Sequence, residues 1–260
     1  MLKTRFLRNK DIIPLPMLDE ITIIGLGGIG SFVAQYLTIM GFKNIIGYDN
    51  DIVEAHNLSS TAYPLDSVGD TKVEAMSLLH KQYSEDWQTF EGHKKEWTSS
   101  DTLGHYTIVC TDDMESRKMV YKKFKDLSNT RFLIDARMGA TTVELVTTTK
   151  HDDSYIDHWV PTNSVPPAPC SMKHTLFATT TIASFVTSQV QNLIANNLYY
   201  DYIWCDLSPI NINFGSLINP NQTEVSIDTS EHNQDGLESN TVRSDLFLHR
   251  STEDRQDNSL

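Results

Sequence analysis

A chain of 260 residues with 39% hydrophobic content is long enough to bury one substantial core, and its 34 acidic against 21 basic residues leave a formal charge of −13. That balance argues against a general nucleic-acid binder, because neutralising phosphates takes a basic surface. No apolar run approaches the roughly 18 residues that would span a bilayer, and the opening "MLKTRFLRNKDIIPLPMLDE" interrupts its apolar residues with charges and prolines, so a cytoplasmic protein with neither leader nor membrane segment is expected.

Three cysteines, Cys110, Cys170 and Cys205, are scattered without a C-x-x-C pair, so neither a disulfide framework nor a cysteine zinc clip is encoded. The expected organisation is an N-terminal arm over residues 1–20, one folded domain over 21–218, and a polar, acidic, aromatic-poor tail over 219–260 that reads as disordered. The "DLFLHR" of residues 245–250 reads as an incidental apolar trio within that tail.

In chain order, "ITIIG" predicts a buried strand and the glycines after it a turn into a helix. Ile29, Phe32, Val33, Tyr36, Leu37 and Met40 recur at helical spacing, and Gly41 stops the helix. "NIIGYD", "YTIVCTD" and "RFLIDA" are further strands, separated by helices in "GDTKVEAMSLLHKQYS" and "DMESRKMVYKKFKDLS". Apolar strands alternating with helices predict a Rossmann-like α/β fold, a mostly parallel sheet covered by helices. "TTVELVTTT" leaves the parallel set as a half-exposed strand, and antiparallel strands are expected in the C-terminal half. Residues 150–171 form a proline-rich crossing loop before a long helix in "KHTLFATTTIASFVTSQVQNLIANNLYY". Trp159, Phe177 and Phe185 read as core, "HDDSYIDH" at 151–158 as a polar loop, and Lys118, Lys122, Lys123 and Lys125 as a solvated helix face.

Gly25, Gly27 and Gly30 satisfy G-x-G-x-x-G between strand and helix, Gly28 adds a further glycine, and Asp49 closes the second strand. Glycines let the backbone approach phosphate oxygens and the helix N-terminus offers free N–H groups, while Asp49 can accept from ribose hydroxyls. That chemistry suits NAD and ATP alike. The next segment adds Asp51, Asn57 and a G-x-x-K step ending on Lys72, a cation at a helix start that suits a polyphosphate better than a hydride-transfer site. "IVCTDDMESR" then ends a strand on Asp112 and Asp113, where a carboxylate can hold Mg²⁺ between phosphates, and places Arg117 in the following helix.

Together "GLGGIGS", the D-x-D-x-V-E-x-x-N-L of residues 49–58, the G-x-x-K of residues 69–72 and "TDDMESR" resemble the ThiF/MoeB/HesA family of adenylating enzymes, which includes the ubiquitin-activating type; the likeness covers about residues 21–198. The resemblance implies ATP and Mg²⁺ as cofactors and transfer of AMP to the C-terminal carboxylate of a small ubiquitin-like or sulfur-carrier protein, by a homodimer. It implies that Asp49 binds the ribose, Asn57 and Lys72 the phosphates and Asp112 the Mg²⁺, with Asp113 replacing the family's usual asparagine. Three departures stand out. Where the family carries an arginine followed by glutamine, this chain has "SST" at residues 59–61, losing a charge-assisted contact worth roughly 1.5–3 kcal/mol; Arg5 or Arg8 of the N-terminal arm, supplied by a dimer partner, is a candidate substitute. The family's zinc-binding cysteine pairs are absent, so no zinc is expected. Cys170, in "PPAPCSMKH", stands where thioester- or persulfide-forming members carry a cysteine, with Lys173 and His174 nearby to lower its pKa. The alternatives are a catalytically degenerate member that binds nucleotide or partner without turnover, which "SST" favours, and an NAD-dependent oxidoreductase, which leaves Lys72 and Asp112 unexplained.

Overall fold

A computed structural model describes residues 2–9, 11–13, 17–159 and 175–220. Cys170, the rest of residues 160–174 and residues 221–260, including "DLFLHR", lie outside the described residues.

After a single helical turn, α1 (Leu2–Arg5), the chain alternates β1 (Met17–Ile24), α2 (Gly28–Met40), β2 (Phe42–Tyr48), α3 (Lys72–Tyr83), β3 (Thr89–His93), β4 (Tyr106–Val109), α4 (Met114–Asp126) and β5 (Phe132–Met138). It continues through β6 (Thr142–Thr149), α5 (Leu176–Ile194), β7 (Tyr199–Tyr200), β8 (Tyr202–Leu207), β9 (Ile210–Phe214) and β10 (Leu217–Ile218). The eight-stranded sheet runs β3-β2-β1-β4-β5-β6-β8-β9. The five strands from β3 to β5 pair parallel, whereas β6, β8 and β9 are added antiparallel, as the fold class expected from the sequence requires.

Period-two alternation along these strands feeds two cores. Ile21, Ile23, Ile108, Ile134 and Ala136 face a cluster that includes Val33, Leu37, Met76, Ile182 and Val186, from α2, α3 and α5. Ile24, Val109 and Leu133 face the other side, with Val120, Tyr121 and Phe124 of α4. Each fully buried aliphatic or aromatic side chain there is worth about 1.5–3 kcal/mol in burial. Helix ends follow from local chemistry. Gly41 caps α2 in the left-handed region at φ 98°, its N–H reaching the Leu37 and Thr38 carbonyls. Thr71 and Glu74 close a reciprocal capping box that starts α3 at Lys72. Asp113 accepts the Ser116 amide at 2.7 Å and starts α4.

Several expectations need correction. β6 is a central strand with both faces covered, not half-exposed: Thr147 and Thr148 are buried, the one taken up by Gln189 Nε2 at 3.3 Å and the other donating to the Asp152 carbonyl at 3.2 Å. The "HDDSYIDH" stretch contains a 3-10 turn, Ser154–His158, whose Tyr155 is wholly buried against Tyr121. Phe177 is 49% exposed and is not core, because it lies on the outward side of the first turn of α5; Phe185 is partly buried against the core, and Trp159 is only partly buried. The lysines of α4 are not a uniformly solvated face. Lys118 sits over the Trp159 ring, 4.0 Å from its centroid, and Lys125 pairs with Asp153 at 2.8 Å. Among the described residues no helix is long and apolar enough to cross a membrane.

Candidate active site

The order of strands places a topological switch between β1 and β4, since the chain leaves β1 toward β2 on one side while β4 pairs on the other. Ligands of open α/β sheets bind at the carboxyl ends of strands beside such a switch. Gly25 and Cys110 leave β1 and β4 there side by side, the Cys110 amide donating to the Ile24 carbonyl at 2.8 Å. A Cβ on Gly25, which has φ +91°, would lie 2.9 Å from the Cys110 carbonyl, and one on Gly30 would lie 1.9 Å from the Gly25 oxygen. These two glycines therefore serve close packing of loop, strand and helix. Gly27 differs: nothing stands within 4 Å of its Cβ direction, and no side chain caps the α2 N-terminus that it precedes. The open side of the loop is the side a phosphate can approach. Gly28 is hemmed in by Met138, Thr179 and the Ser60 carbonyl.

Asp49, 8% exposed, accepts the Leu26 amide at 2.7 Å and the Asp51 amide at 2.9 Å, and burial raises its pKa against the pull of Lys72. Tyr63 supports the same loop, its hydroxyl donating to the Leu26 carbonyl at 2.6 Å. The Lys72 ammonium is nearly buried between two carboxylates, 2.6 Å from Asp51 and 3.6 Å from Asp49. Asn57 is held in a 3-10 turn where its Oδ1 accepts the Glu54 amide at 3.0 Å, leaving the amide nitrogen as the donor it can offer. Ser59, Ser60 and Thr61 follow at once; Ser60 donates its amide to the Asn57 carbonyl, and Ser31 Oγ accepts the Ala62 amide at 3.0 Å.

Past the end of β4, Asp112 is exposed and has no partner among the described residues, whereas Asp113 is committed to Ser116. One unengaged carboxylate at the mouth of a phosphate loop suits Mg²⁺, which takes one or two protein carboxylates and completes its shell with phosphate oxygens and water. Asp112 fits that role and Asp113 does not. Among the described residues no group of three or more His, Cys, Asp or Glu is gathered that could hold a metal by itself. Cys110 is partly buried against the core, and desolvation pushes its thiol up to about 12, so it is not the thiolate that a nucleophile needs. Arg5 pairs with Glu85 at 3.2 Å, just past the C-terminal end of α3. That is a helix length, roughly 18 Å, from Lys72 at its start, so Arg5 stands away from the glycine loop. Arg8 is exposed.

The sequence missed a group beneath this floor: Asp135, Arg137, Tyr155 and the buried state of Arg117. Asp135 is fully buried and pairs with both arginines. An acid and a base within "IDARM" was the available signal; their partners on α4 and in the 3-10 turn are distant in sequence.

A model of the ThiF family matches residues 18–231. The chain belongs to the ThiF family. Over 132 residues it is 40% identical to the ubiquitin-like modifier-activating enzyme 5 of Arabidopsis thaliana, and over 128 residues 30% identical to that of Oryza sativa subsp. japonica. Each match covers 43% of this chain and 30% of the relative, so the chain spans under a third of the length of these curated relatives. Among solved structures, E. coli MccB with succinimide superposes with a TM-score of 0.66 at 18% identity, covering 84% of this chain and 73% of that one. PaaA superposes with a TM-score of 0.62 at 15% identity, covering 76% and 64%. At such identities the two structures bear on the fold, and both share it with this member of the family.

Proposed function

We propose that the chain is an ATP-dependent adenylyltransferase that activates the C-terminal carboxylate of a small ubiquitin-like or sulfur-carrier protein or peptide, releasing pyrophosphate. The observation that carries this reading is the meeting, at one switch point, of an open glycine loop, a nearly buried Lys72 and an unengaged Asp112. A redox dinucleotide would use the loop and Asp49 but would leave Lys72 and Asp112 without a task. The names of the relatives, ubiquitin-like modifier-activating enzymes, and a structure of E. coli MccB with ATP support the same substrates.

In this reading Asp49 accepts from the ribose with the lone pairs left by its two backbone bonds, and the glycine-loop amides of residues 27 and 28 face the phosphates, those of Gly25 and Leu26 being spent on the Tyr48 carbonyl and on Asp49. Lys72 turns from Asp51 to the phosphates, with Asp49 remaining as its second anchor, and the Asn57 amide nitrogen donates alongside it. Asp112 would hold Mg²⁺, which would supply charge neutralisation of the phosphates. An oxygen of the acceptor carboxylate attacks the α-phosphorus, the bond to the bridging oxygen breaks, and the electron pair leaves with pyrophosphate. No proton has to move, so the protein's task is positioning and electrostatics. "SST" supplies hydroxyls and no cation; Arg5 or Arg8 of a second copy in a homodimer is the substitute, since the first copy's Arg5 is turned away. Cys170 would act only in a later thioester or persulfide step.

The missing arginine favours a second reading, a member that binds nucleotide or partner without turnover. Exchange of labelled pyrophosphate into ATP, stimulated by an acceptor and lost in Asp112→Asn, supports the enzyme; ATP binding without exchange supports the second reading.

A further inference from the structure

A buried carboxylate lies on the strand next to β4, opposite Val109, and nothing in the mechanism above uses it. Asp135, on β5, is fully buried, with Oδ1 paired to Arg117 and Oδ2 accepting from Arg137 Nε at 2.9 Å, Arg137 Nη2 at 2.7 Å and the Tyr155 hydroxyl at 2.8 Å. Each arginine then spends another N–H on a backbone carbonyl of a different segment. Arg117 Nη2 donates to the Thr111 carbonyl, the residue before Asp112. Arg137 Nη1 donates to the His158 carbonyl at 2.6 Å, and Trp159 Nε1 reaches back to the Met114 carbonyl at 3.1 Å. The turn that carries Asp112 and the point where the chain enters residues 160–174 are thus tied to one anion.

We propose that Asp135 is the positioning residue of the site: through Arg117 it sets the place of the Asp112 carboxylate, and through Arg137 it sets the entry to the segment that follows Trp159. This rests on the adenylyltransferase reading for its purpose, not for its geometry. The physical case is the number and kind of bonds. A buried carboxylate accepting four donors, three of them from guanidinium groups, fixes both side chains, and each fixed guanidinium is a rigid plane that transmits the position to a backbone carbonyl. Removing the charge leaves the buried Arg117 and the partly buried Arg137 without an anion between them, although Glu144, 3.2 Å from Arg137, still holds one. Burial already lowers the Arg117 pKa to about 10, with Arg137 adding to the shift.

The test uses the full chain, ATP as the probe, and two variants: Tyr155→Phe, which removes one donor and keeps the ring stack on Tyr121, and Asp135→Asn. ATP affinity is measured by calorimetry in Mg²⁺ and in EDTA, and amide hydrogen exchange is followed across residues 110–114 and 156–159. The expected result is an unchanged affinity in EDTA, because Asp49 and the glycine loop are held by other bonds. The gain in affinity from Mg²⁺ should shrink about fivefold in Tyr155→Phe and more in Asp135→Asn, and exchange should rise in both segments together. Unchanged Mg²⁺ dependence with unchanged exchange overturns the proposal, as does a uniform rise in exchange over the whole chain, which marks general loosening. If the wild-type chain binds no ATP, the functional reading fails, and joint or separate loosening of the two segments still decides the positioning claim.

Discussion

The Asp49 carboxylate accepts the Leu26 amide at 2.7 Å, so the acid that ends β2 holds the glycine loop that leaves β1. Its other oxygen accepts the Asp51 amide. One side chain thus shapes the loop and sets the next turn, before any ligand is considered. In Asp49→Asn a single carbonyl oxygen remains for two backbone donors. That variant should lose about 1–3 kcal/mol of stability in urea unfolding, and its ATP affinity should fall on the order of tenfold.

Gly27 and Gly30 are separated by one turn and should respond oppositely to the same methyl group. In Gly30→Ala the new Cβ meets the Gly25 oxygen at 1.9 Å, so strand and helix must part; a loss of about 2–4 kcal/mol, or failure to fold, is expected. In Gly27→Ala the Cβ enters open space, and the fold should stay within about 1 kcal/mol of wild type while ATP binding weakens about tenfold. Thermal melts and calorimetry on the two variants check both halves.

His80 gives the fold a pH dependence. Thr38 Oγ1 donates to the Ala34 carbonyl at 2.8 Å, so the 2.9 Å contact to His80 Nδ1 takes its proton from the ring, and Nε2 is left buried without a partner. Burial holds the imidazole pKa below its ordinary 6.5. The unfolded chain therefore binds a proton that the folded chain refuses, and stability falls as pH drops below 6.5 toward the folded value. Denaturant unfolding between about pH 7.5 and 5.5 should show that decline in the wild type and a shallower one in His80→Met.

The cysteines separate by the step each could serve. Cys110 is partly buried at the carboxyl end of β4 with its thiol pushed up to about 12, and the attacking group in the proposed reaction belongs to the acceptor. Cys170→Ser should therefore retain pyrophosphate exchange within about twofold, while any thioester with the acceptor, trapped on a non-reducing gel, disappears. Loss of exchange in Cys170→Ser would show that Cys170 takes part in the first step.

Much of this fold could be read from the chain because the parallel strands are buried on both faces: β1, β2, β4 and β5 stand out as apolar runs between helical patterns. The glycine loop and Lys72 were legible for a similar reason, since each lies at a helix start with a local signature. β3, "TFEGH", was not, because an edge strand with exposed residues carries no apolar run. β8 and β9 were anticipated only as a class; every residue of β9 is exposed, so its pattern has no buried face to report. Tyr155 was hidden in a polar stretch, and the pairing of Arg117 with Asp135 joins residues on different elements, which no local spacing encodes.

In the proposed reaction Asp112 and Lys72 serve an ATP polyphosphate that is attacked by a carboxylate. Exchange of labelled pyrophosphate into ATP, with candidate carrier proteins or peptides supplied as acceptors, tests it most directly. Acceptor-dependent exchange in the wild type, reduced at least a hundredfold in Asp112→Asn and Lys72→Ala, about 3 kcal/mol in barrier, is the predicted result. Tighter binding of NAD than of ATP, or exchange that survives the loss of Asp112, would contradict it.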